Sequence, residues 1–170
     1  MDLVGSASSN SSLRKLGTAL VAAALLVAAA APAAKGAPID EYVERLEPIC
    51  KANSEANSRI LKGVRGQVQQ DKLVPAGKRF VRASNALGRS VTQMAKVPKP
   101  AEAEVKLNKW FDYLKREKDL LRAIGQALKA KDKFKAQKRA IELNRNNNKA
   151  NNTVISYGFD ECRIDSSRFL

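Results

Sequence analysis

Two cysteines, Cys50 and Cys162, carry the most distinctive chemistry of this chain, because thiols can pair, react or bind metals. Only one pairing is possible, and it would tie Cys50 to the end of the segment YGFDEC, Tyr157–Cys162. The alternatives are a reactive thiol and a metal site, but two cysteines without histidine do not complete a tetrahedral site. In an oxidising compartment we therefore expect a structural disulfide bond.

Histidine does not occur in the sequence, which removes the commonest metal ligand and the commonest general base. Zinc hydrolases, haem attachment through CxxCH and histidine-based catalytic triads are therefore excluded. Carboxylates occur at Asp160, Glu161 and Asp165, but nothing in the sequence places them in a cleft. No GxSxG motif, phosphate-binding glycine loop or metal-spaced cluster is present. We expect no enzyme activity, no metal and no cofactor.

Basic residues dominate the charge of the chain, with 31 Lys and Arg against 17 Asp and Glu, a net +14. Residues 1–37 hold three of the bases and one of the acids, so residues 38–170 keep 28 against 16, a net +12. The bases could bind anionic cell-wall polymer or lipid headgroups, or could form a solvated face. Sequence-specific nucleic-acid binding is not expected, because interleaved exposed aromatics and recognition motifs are missing. The candidate polyanion-binding residues are Lys129, Lys131, Lys133, Lys135, Lys138 and Arg139.

Asparagines crowd the last predicted helix, although asparagine is a mediocre helix former. Asn147 falls on the apolar side of that helix, and Asn53 and Asn57 lie one and two turns beyond Cys50. Antiparallel packing would bring these three amides together, which predicts a buried amide network that sets the register between helices. A polar pocket for a small ligand and a solvated surface are the alternatives.

The first 37 residues have the pattern of a secretory signal peptide. Arg14 and Lys15 precede 19 uncharged residues, Leu16–Ala34, and Ala31 and Ala33 supply a cleavage signal. An uncleaved membrane anchor is the alternative, but the run is rich in alanine, which is only modestly apolar. We expect a secreted or cell-envelope protein that meets a membrane only if this segment is retained.

Four later segments show apolar residues at steps of three and four, which predicts four helices and no strands. The first begins near Asp40 and contains Pro48, which predicts a kink or a helix that restarts at the proline. The segment VPAG, Val74–Gly77, predicts a break before the second helix, and VPKP, Val97–Pro100, predicts its end.

The third predicted helix runs from about Ala101 to Ala130 and carries the only tryptophan, Trp110, which we expect in the core. The fourth ends at Tyr157-Gly158, where glycine suits the left-handed residue past a helix. The predicted buried residues of these two helices are Val105, Leu107, Trp110, Phe111, Leu114, Leu121, Ile124, Leu128, Phe134, Ala136, Ala140, Ile141, Leu143, Asn147, Ala150 and Val154.

Short connectors favour an antiparallel up-down four-helix bundle. In that topology Cys50 and Cys162 lie at the same end of the bundle, in agreement with their pairing. A bond closing a loop of about 110 residues contributes on the order of 4 to 5 kcal/mol. We therefore expect a signal segment over residues 1–37, a disulfide-bonded bundle over 38–162 and a tail over 163–170.

Two short segments, ICKAN at Ile49–Asn53 and GFDEC at Gly158–Cys162, stand near the start and the end of the exported part. With the proline-containing connector and the asparagine-rich last helix, they resemble a family of uncharacterised secreted or lipid-anchored helical proteins of actinobacteria. The resemblance implies an extracytoplasmic compartment and a helical fold but no reaction. The chain departs from that family in its extension over residues 163–170 and in lacking a lipid-attachment cysteine.

These features together predict a secreted, non-catalytic helical bundle that binds an envelope protein or a small ligand. The alternative is an electrostatic binder of anionic cell-wall polymer or of a lipid surface through the basic region around the third connector. The sequence leaves the oligomeric state open.

Overall fold

The computed structural model describes residues 38–164, and this part of the chain is helical and contains no strand. Its helices are α1 (Ile39–Leu61), α2 (Val64–Gln69), α3 (Leu73–Met94), α4 (Glu104–Lys129) and α5 (Lys133–Thr153). Single 3-10 turns precede α4 at Ala101–Ala103 and follow α5 at Ile155–Tyr157. The predicted all-helical class with four long helices is confirmed. The predicted signal segment and residues 165–170 of the predicted tail lie outside the described residues.

Helix α1 runs without interruption through Pro48, so the predicted restart at this proline does not occur. Pro48 is exposed, and the Glu44 carbonyl that loses its backbone donor can face water. Pro38 rather than Asp40 precedes the first helical residue, and no side chain caps this end of α1. The buried side of α1 consists of Tyr42, Leu46, Cys50, Asn57 and Leu61.

The connection between α1 and α3 contains the short helix α2, which the sequence did not predict. Gly63 lies between α1 and α2 with a φ of 77°, a conformation that glycine adopts without strain. The predicted break at Val74–Gly77 is wrong, because α3 begins at Leu73 and these residues form its first turn. Pro75 is tolerated there because the first N–H groups of a helix have no intrahelical acceptor.

Helices α3 and α4 cross with their backbones in contact at Gly77 and Gly125. A Cβ added to Gly77 would lie 2.5 Å from the Gly125 carbonyl oxygen, and one added to Gly125 would lie 2.7 Å from the Gly77 carbonyl oxygen. Further along the pair, the Ser84 hydroxyl donates to the Lys118 carbonyl at 2.8 Å. Only glycine allows the two helices to approach this closely at the crossing.

Two predicted core residues are exposed at the starts of their helices. Val105, the second residue of α4, is 84% exposed, and Phe134, the second residue of α5, is 80% exposed. Other residues at the same helix starts, Leu107 and Ala136, are buried, so the exposure is a matter of side. Val105 precedes Leu107 by two residues and Phe134 precedes Ala136 by two, which places each about 200° around its helix from the buried residue. Ile141 is also 49% exposed. Residues of α5 that face α4, such as Leu143 and Ala150, are buried as predicted.

The core surrounds Trp110, whose side chain is fully buried, as its place on the apolar side of the third predicted helix indicates. Helix α3 packs against both α1 and α4, and α4 packs against α5. Helices α1 and α5 therefore pack mainly on their neighbours rather than on each other. Within residues 38–164, no helix is long and apolar enough to cross a membrane.

Candidate functional site

Cys50 and Cys162 form a disulfide bond across 112 residues, which confirms the predicted pairing. The turn before Cys162 is held by Glu47 of α1, whose carboxylate accepts the backbone N–H groups of Asp160 and Glu161 at 2.9 and 2.7 Å. The C-terminal segment is thus attached to α1 both by a covalent bond and by a carboxylate that binds two amides.

The same segment inserts an aromatic ring into the core. Phe159 is buried and stacks on Trp110, with 5.2 Å between ring centroids and 15° between the ring planes. Asn151 of α5 exchanges two hydrogen bonds of 2.9 Å with the backbone of Ile164. The packed unit therefore extends two residues past Cys162, into the predicted tail.

A cavity of about 90 Å³ lies between the helices next to this segment, and we call it the polar cavity. Helices α1, α3, α4 and α5 and the residues around the disulfide bond all contribute to its wall. A buried water needs roughly 10–15 Å³ of such volume, so the polar cavity can hold several waters or one small molecule. Its polar lining includes Asn53, Asn57, Trp110, Glu117 and Asn147.

Four buried polar atoms from three helices lack a hydrogen-bond partner among the described residues, and their side chains all line the polar cavity. These atoms are Asn57 Oδ1, Trp110 Nε1, Glu117 Oε2 and Asn147 Nδ2. Tyr42 Oη and Gln67 Oε1 are also buried without partners, but neither residue lines this cavity. Because an unpaired buried polar atom costs about 1–3 kcal/mol, this concentration makes the polar cavity the candidate site.

Among residues 38–164, Glu117 is the only charged or acidic residue in the enclosed part of the cavity wall, since Glu161 and Arg163 are exposed at its edge. Burial raises the pKa of Glu117 to about 8, because the surrounding side chains replace the water that would stabilise its charge. At neutral pH the carboxyl group is therefore mostly protonated, and the enclosed part of the polar cavity carries little charge, with the exposed Glu161 and Arg163 at its edge.

Comparison of the chain with protein-family models, curated proteins and solved structures found no match. The function is therefore inferred from the chemistry of the cavity itself. Within residues 38–164, no group of three cysteine or acidic side chains could hold a metal ion. The polar cavity offers hydrogen-bond donors and acceptors from amides, an indole and one carboxyl group.

The three predicted amides all line the polar cavity, but they do not form one connected network. Asn57 Nδ2 donates to Asn53 Oδ1 at 3.4 Å, whereas no hydrogen bond joins Asn147 to either of them in the described part. Asn147 instead pairs with its neighbour Asn146, whose Nδ2 lies 3.5 Å from Asn147 Oδ1 and donates to the Tyr113 carbonyl at 2.9 Å. The cavity occupies the space where the amides were predicted to meet.

The predicted basic residues spread over the end of α4, the connector and the start of α5. Lys133 pairs with Asp71 at 2.6 Å, and Arg139 is half-buried and pairs with Glu142 at 2.6 Å. That hydrogen bond from Arg139 lowers the pKa of Glu142. The other four bases are exposed and form no ion pair within the described range: Lys129, Lys131, Lys135 and Lys138.

Glu117 was missed by the sequence reasoning, although its position carried a signal. It follows Leu114 by three residues and precedes Leu121 by four, so it lies on the apolar side of α4. An acid on a buried helical side is uncommon and marks either a paired charge or a functional group.

Proposed function

We propose that this protein is a non-catalytic helical protein that works outside the cytoplasm and binds a small polar molecule in the polar cavity. The observation that carries the proposal is the set of four unpaired buried atoms on Asn57, Trp110, Glu117 and Asn147. A molecule that pairs all four removes desolvation costs that the empty cavity would leave uncompensated.

The cavity favours an uncharged molecule that carries both donors and acceptors. Asn57 Oδ1 accepts hydrogen bonds, whereas Trp110 Nε1 and Asn147 Nδ2 donate them. Glu117, with its pKa raised to about 8, can both donate and accept at neutral pH. A charged ligand would need a fixed counter-charge, because burying an unpaired ion costs far more than burying a neutral amide or hydroxyl group. Primary amides and diols have the required chemistry.

Contacts within the described part support an up-down antiparallel arrangement of the four long helices. Met94, the last residue of α3, contacts Cys50 of α1, whereas Arg79 near the start of α3 donates to Lys62 just past the end of α1. The contact between Cys50 and Met94 joins two sulfurs 3.5 Å apart and is not a hydrogen bond, because a disulfide sulfur carries no proton.

Contacts of the pairs α3–α4 and α4–α5 support the same antiparallel arrangement. Ser84 bonds to Lys118 while Gly77, earlier in α3, meets Gly125, later in α4. Asn146 of α5 bonds to Tyr113, and Glu142 pairs with Arg116 at 3.6 Å. We infer that this arrangement closes the polar cavity from four sides and leaves the C-terminal segment as its cover.

The disulfide bond supports the compartment, since such bonds persist in oxidising environments and are rare in the cytosol. The charged, apolar and small-residue order of the first 37 residues supports export independently.

Calorimetric titration with acetamide and with ethylene glycol tests the proposal directly. We expect at least one of these probes to bind and to change the fluorescence of Trp110, which is the only tryptophan and lines the cavity. Asn147→Leu should abolish binding, because it removes the Nδ2 donor and fills part of the space.

Asn148→Leu is the matched control, because Asn148 is the next residue of α5 and is exposed. The control should bind as the wild type does. Equal binding by wild type and Asn147→Leu would contradict the proposal, as would a cavity that binds neither probe and holds only water.

A further inference from the structure

A second concavity lies in the space between α2 and α5, and we call it the α2–α5 groove. Its volume is about 520 Å³, within the range of roughly 300–1,000 Å³ that ligand pockets occupy. The wall is mostly aliphatic, with Arg65, Gln69, Lys133 and Gln137 as its polar members. The apolar wall includes Val64, Val68, Leu128, Ala136, Ala140 and Ile141.

One edge of the groove carries exposed apolar and basic residues together. Phe134, Lys138, Ile141 and Arg145 follow one another at steps of four, three and four, so they share one side of α5. Phe134 is 80% exposed and Ile141 is 49% exposed. Lys138 and Arg145 are also exposed, and neither forms an ion pair within residues 38–164.

An anionic lipid satisfies all parts of this surface at once. Its acyl chain matches the aliphatic wall of the groove, and its phosphate complements the bases at the edge. The exposed ring of Phe134 lies between Lys133 and Lys135, the combination of an aromatic and lysines that favours the interface of an anionic bilayer.

An acidic amphipathic helix could fill the same groove, but it fits the surface less completely. Phe134 projects from the first turn of α5 and is not part of the groove wall. A helix lying in the groove would leave that ring in water, whereas a bilayer surface buries the ring and supplies the acyl chain.

We propose that the α2–α5 groove takes one acyl chain of an anionic phospholipid, with its phosphate at Lys138 and Arg145 and Phe134 inserted into the bilayer interface. This site is independent of the polar cavity and goes beyond the function proposed for it. It places the chain on a membrane surface without requiring a membrane-spanning segment.

Flotation of the full-length exported chain with vesicles tests the proposal. We expect binding to phosphatidylglycerol vesicles and little binding to phosphatidylcholine vesicles at roughly 0.1 M NaCl. Phe134→Ser with Ile141→Ser should weaken binding to phosphatidylglycerol about tenfold or more, because less apolar surface is buried. This loss should persist at roughly 0.5 M NaCl, where contacts between exposed charges are screened.

A charge-matched pair of variants separates a specific headgroup site from diffuse attraction. Lys138→Gln with Arg145→Gln should weaken binding at low salt more than Lys51→Gln with Lys109→Gln, which removes the same charge from exposed residues of α1 and α4 rather than from the side of α5 that carries Phe134 and Ile141. Circular dichroism of each variant should match the wild type, because all six residues are at the surface.

Three results would overturn the proposal. Equal losses in the two charge-matched pairs, with no loss on Phe134→Ser with Ile141→Ser, would show that only net charge attracts the vesicles. Binding to soluble polyphosphate as tightly as to phosphatidylglycerol, again without dependence on Phe134, would assign the surface to an anionic polymer instead. Absence of binding to phosphatidylglycerol would overturn it outright.

Discussion

The polar cavity and the α2–α5 groove both border Phe80, yet they differ in size and in their buried polar atoms. The cavity has about 90 Å³, and its largely apolar wall contains amides, an indole and a protonated carboxyl group with atoms that lack a partner among the described residues. The groove has about 520 Å³ and is lined mainly by aliphatic side chains. We propose that the cavity selects its ligand by hydrogen bonds and that the groove selects its ligand by apolar area and charge.

The two regions are also held together by different forces. The cavity contains buried polar atoms that weaken packing, and the disulfide bond lies in its wall. Beside the groove, α3 and α4 meet by backbone contact at Gly77 and Gly125, next to Ile124 in the groove wall. The covalent bond therefore lies where the interior contains buried polar atoms, and the close backbone contact lies beside the apolar groove.

Removal of the disulfide bond should lower the stability of the protein more than the substitutions that follow, because it removes the covalent attachment at the cavity. Cys50→Ser with Cys162→Ser should lower the free energy of unfolding by about 4 to 5 kcal/mol, because the unfolded chain loses a constraint on a long loop. Urea denaturation measures the loss, and the wild type under reducing conditions should match the variant. A loss below about 1 kcal/mol would show that the cavity end is stable without the bond.

A second prediction concerns Glu117 and the pH dependence of stability. Burial raises the folded-state pKa of Glu117 from 4.5 to about 8, so the folded state retains a proton that the unfolded state has released. The stabilisation is complete when the pH is below 4.5, the pKa of Glu117 in the unfolded state, and it is lost as the pH rises through the folded-state pKa of about 8.

Between about pH 5 and pH 8, the wild type should lose roughly 3 to 4 kcal/mol more of its unfolding free energy than Glu117→Gln. Denaturation at a series of pH values measures this difference. Glu55→Gln, which neutralises an exposed acid of α1, should follow the wild-type curve. Parallel curves for wild type and Glu117→Gln would show that water reaches the carboxyl group.

A third prediction tests the close packing beside the groove. Gly77→Ala places a Cβ against the backbone of Gly125 and Lys129, so α3 and α4 must separate, at a cost of about 1–3 kcal/mol. Gly66→Ala is the matched control, because a Cβ at Gly66 meets nothing within 4 Å. The control should be stabilised by up to about 1 kcal/mol. Thermal unfolding compares the two, and equal midpoints would disprove the tight crossing.

The smallest effect on stability is expected at Asn147. Asn147→Leu removes an unpaired buried donor and adds apolar contacts, so the free energy of unfolding should change by less than about 1 kcal/mol while ligand binding is lost. Loss of ligand binding without loss of stability would support the proposal that the polar cavity is a functional site. A loss of several kcal/mol would instead make Asn147 a structural residue, and Asn148→Leu again serves as the control.

Sequence reasoning predicted some residues well and others poorly, for a physical reason. Trp110 and Leu143 are buried as predicted, because they lie on the sides of α4 and α5 that face the core. Val105 and Phe134 were assigned to the same sides, but each precedes a buried residue, Leu107 or Ala136, by two and so lies about 200° around the helix from it. A helix that carries apolar residues on more than one side does not reveal by residue type which side is covered, because that depends on contacts with the other helices.

The helical class and the disulfide pairing follow from the sequence alone. Apolar spacing at three and four residues is a local property, and two cysteines leave a single possible bond. The placing of Glu117, Asn57 and Asn147 around one cavity, and of the groove near it, depends on how the helices pack. These sites arise because α1 and α5 pack on α3 and α4 rather than on each other, and the resulting space depends on contacts between residues far apart in the chain.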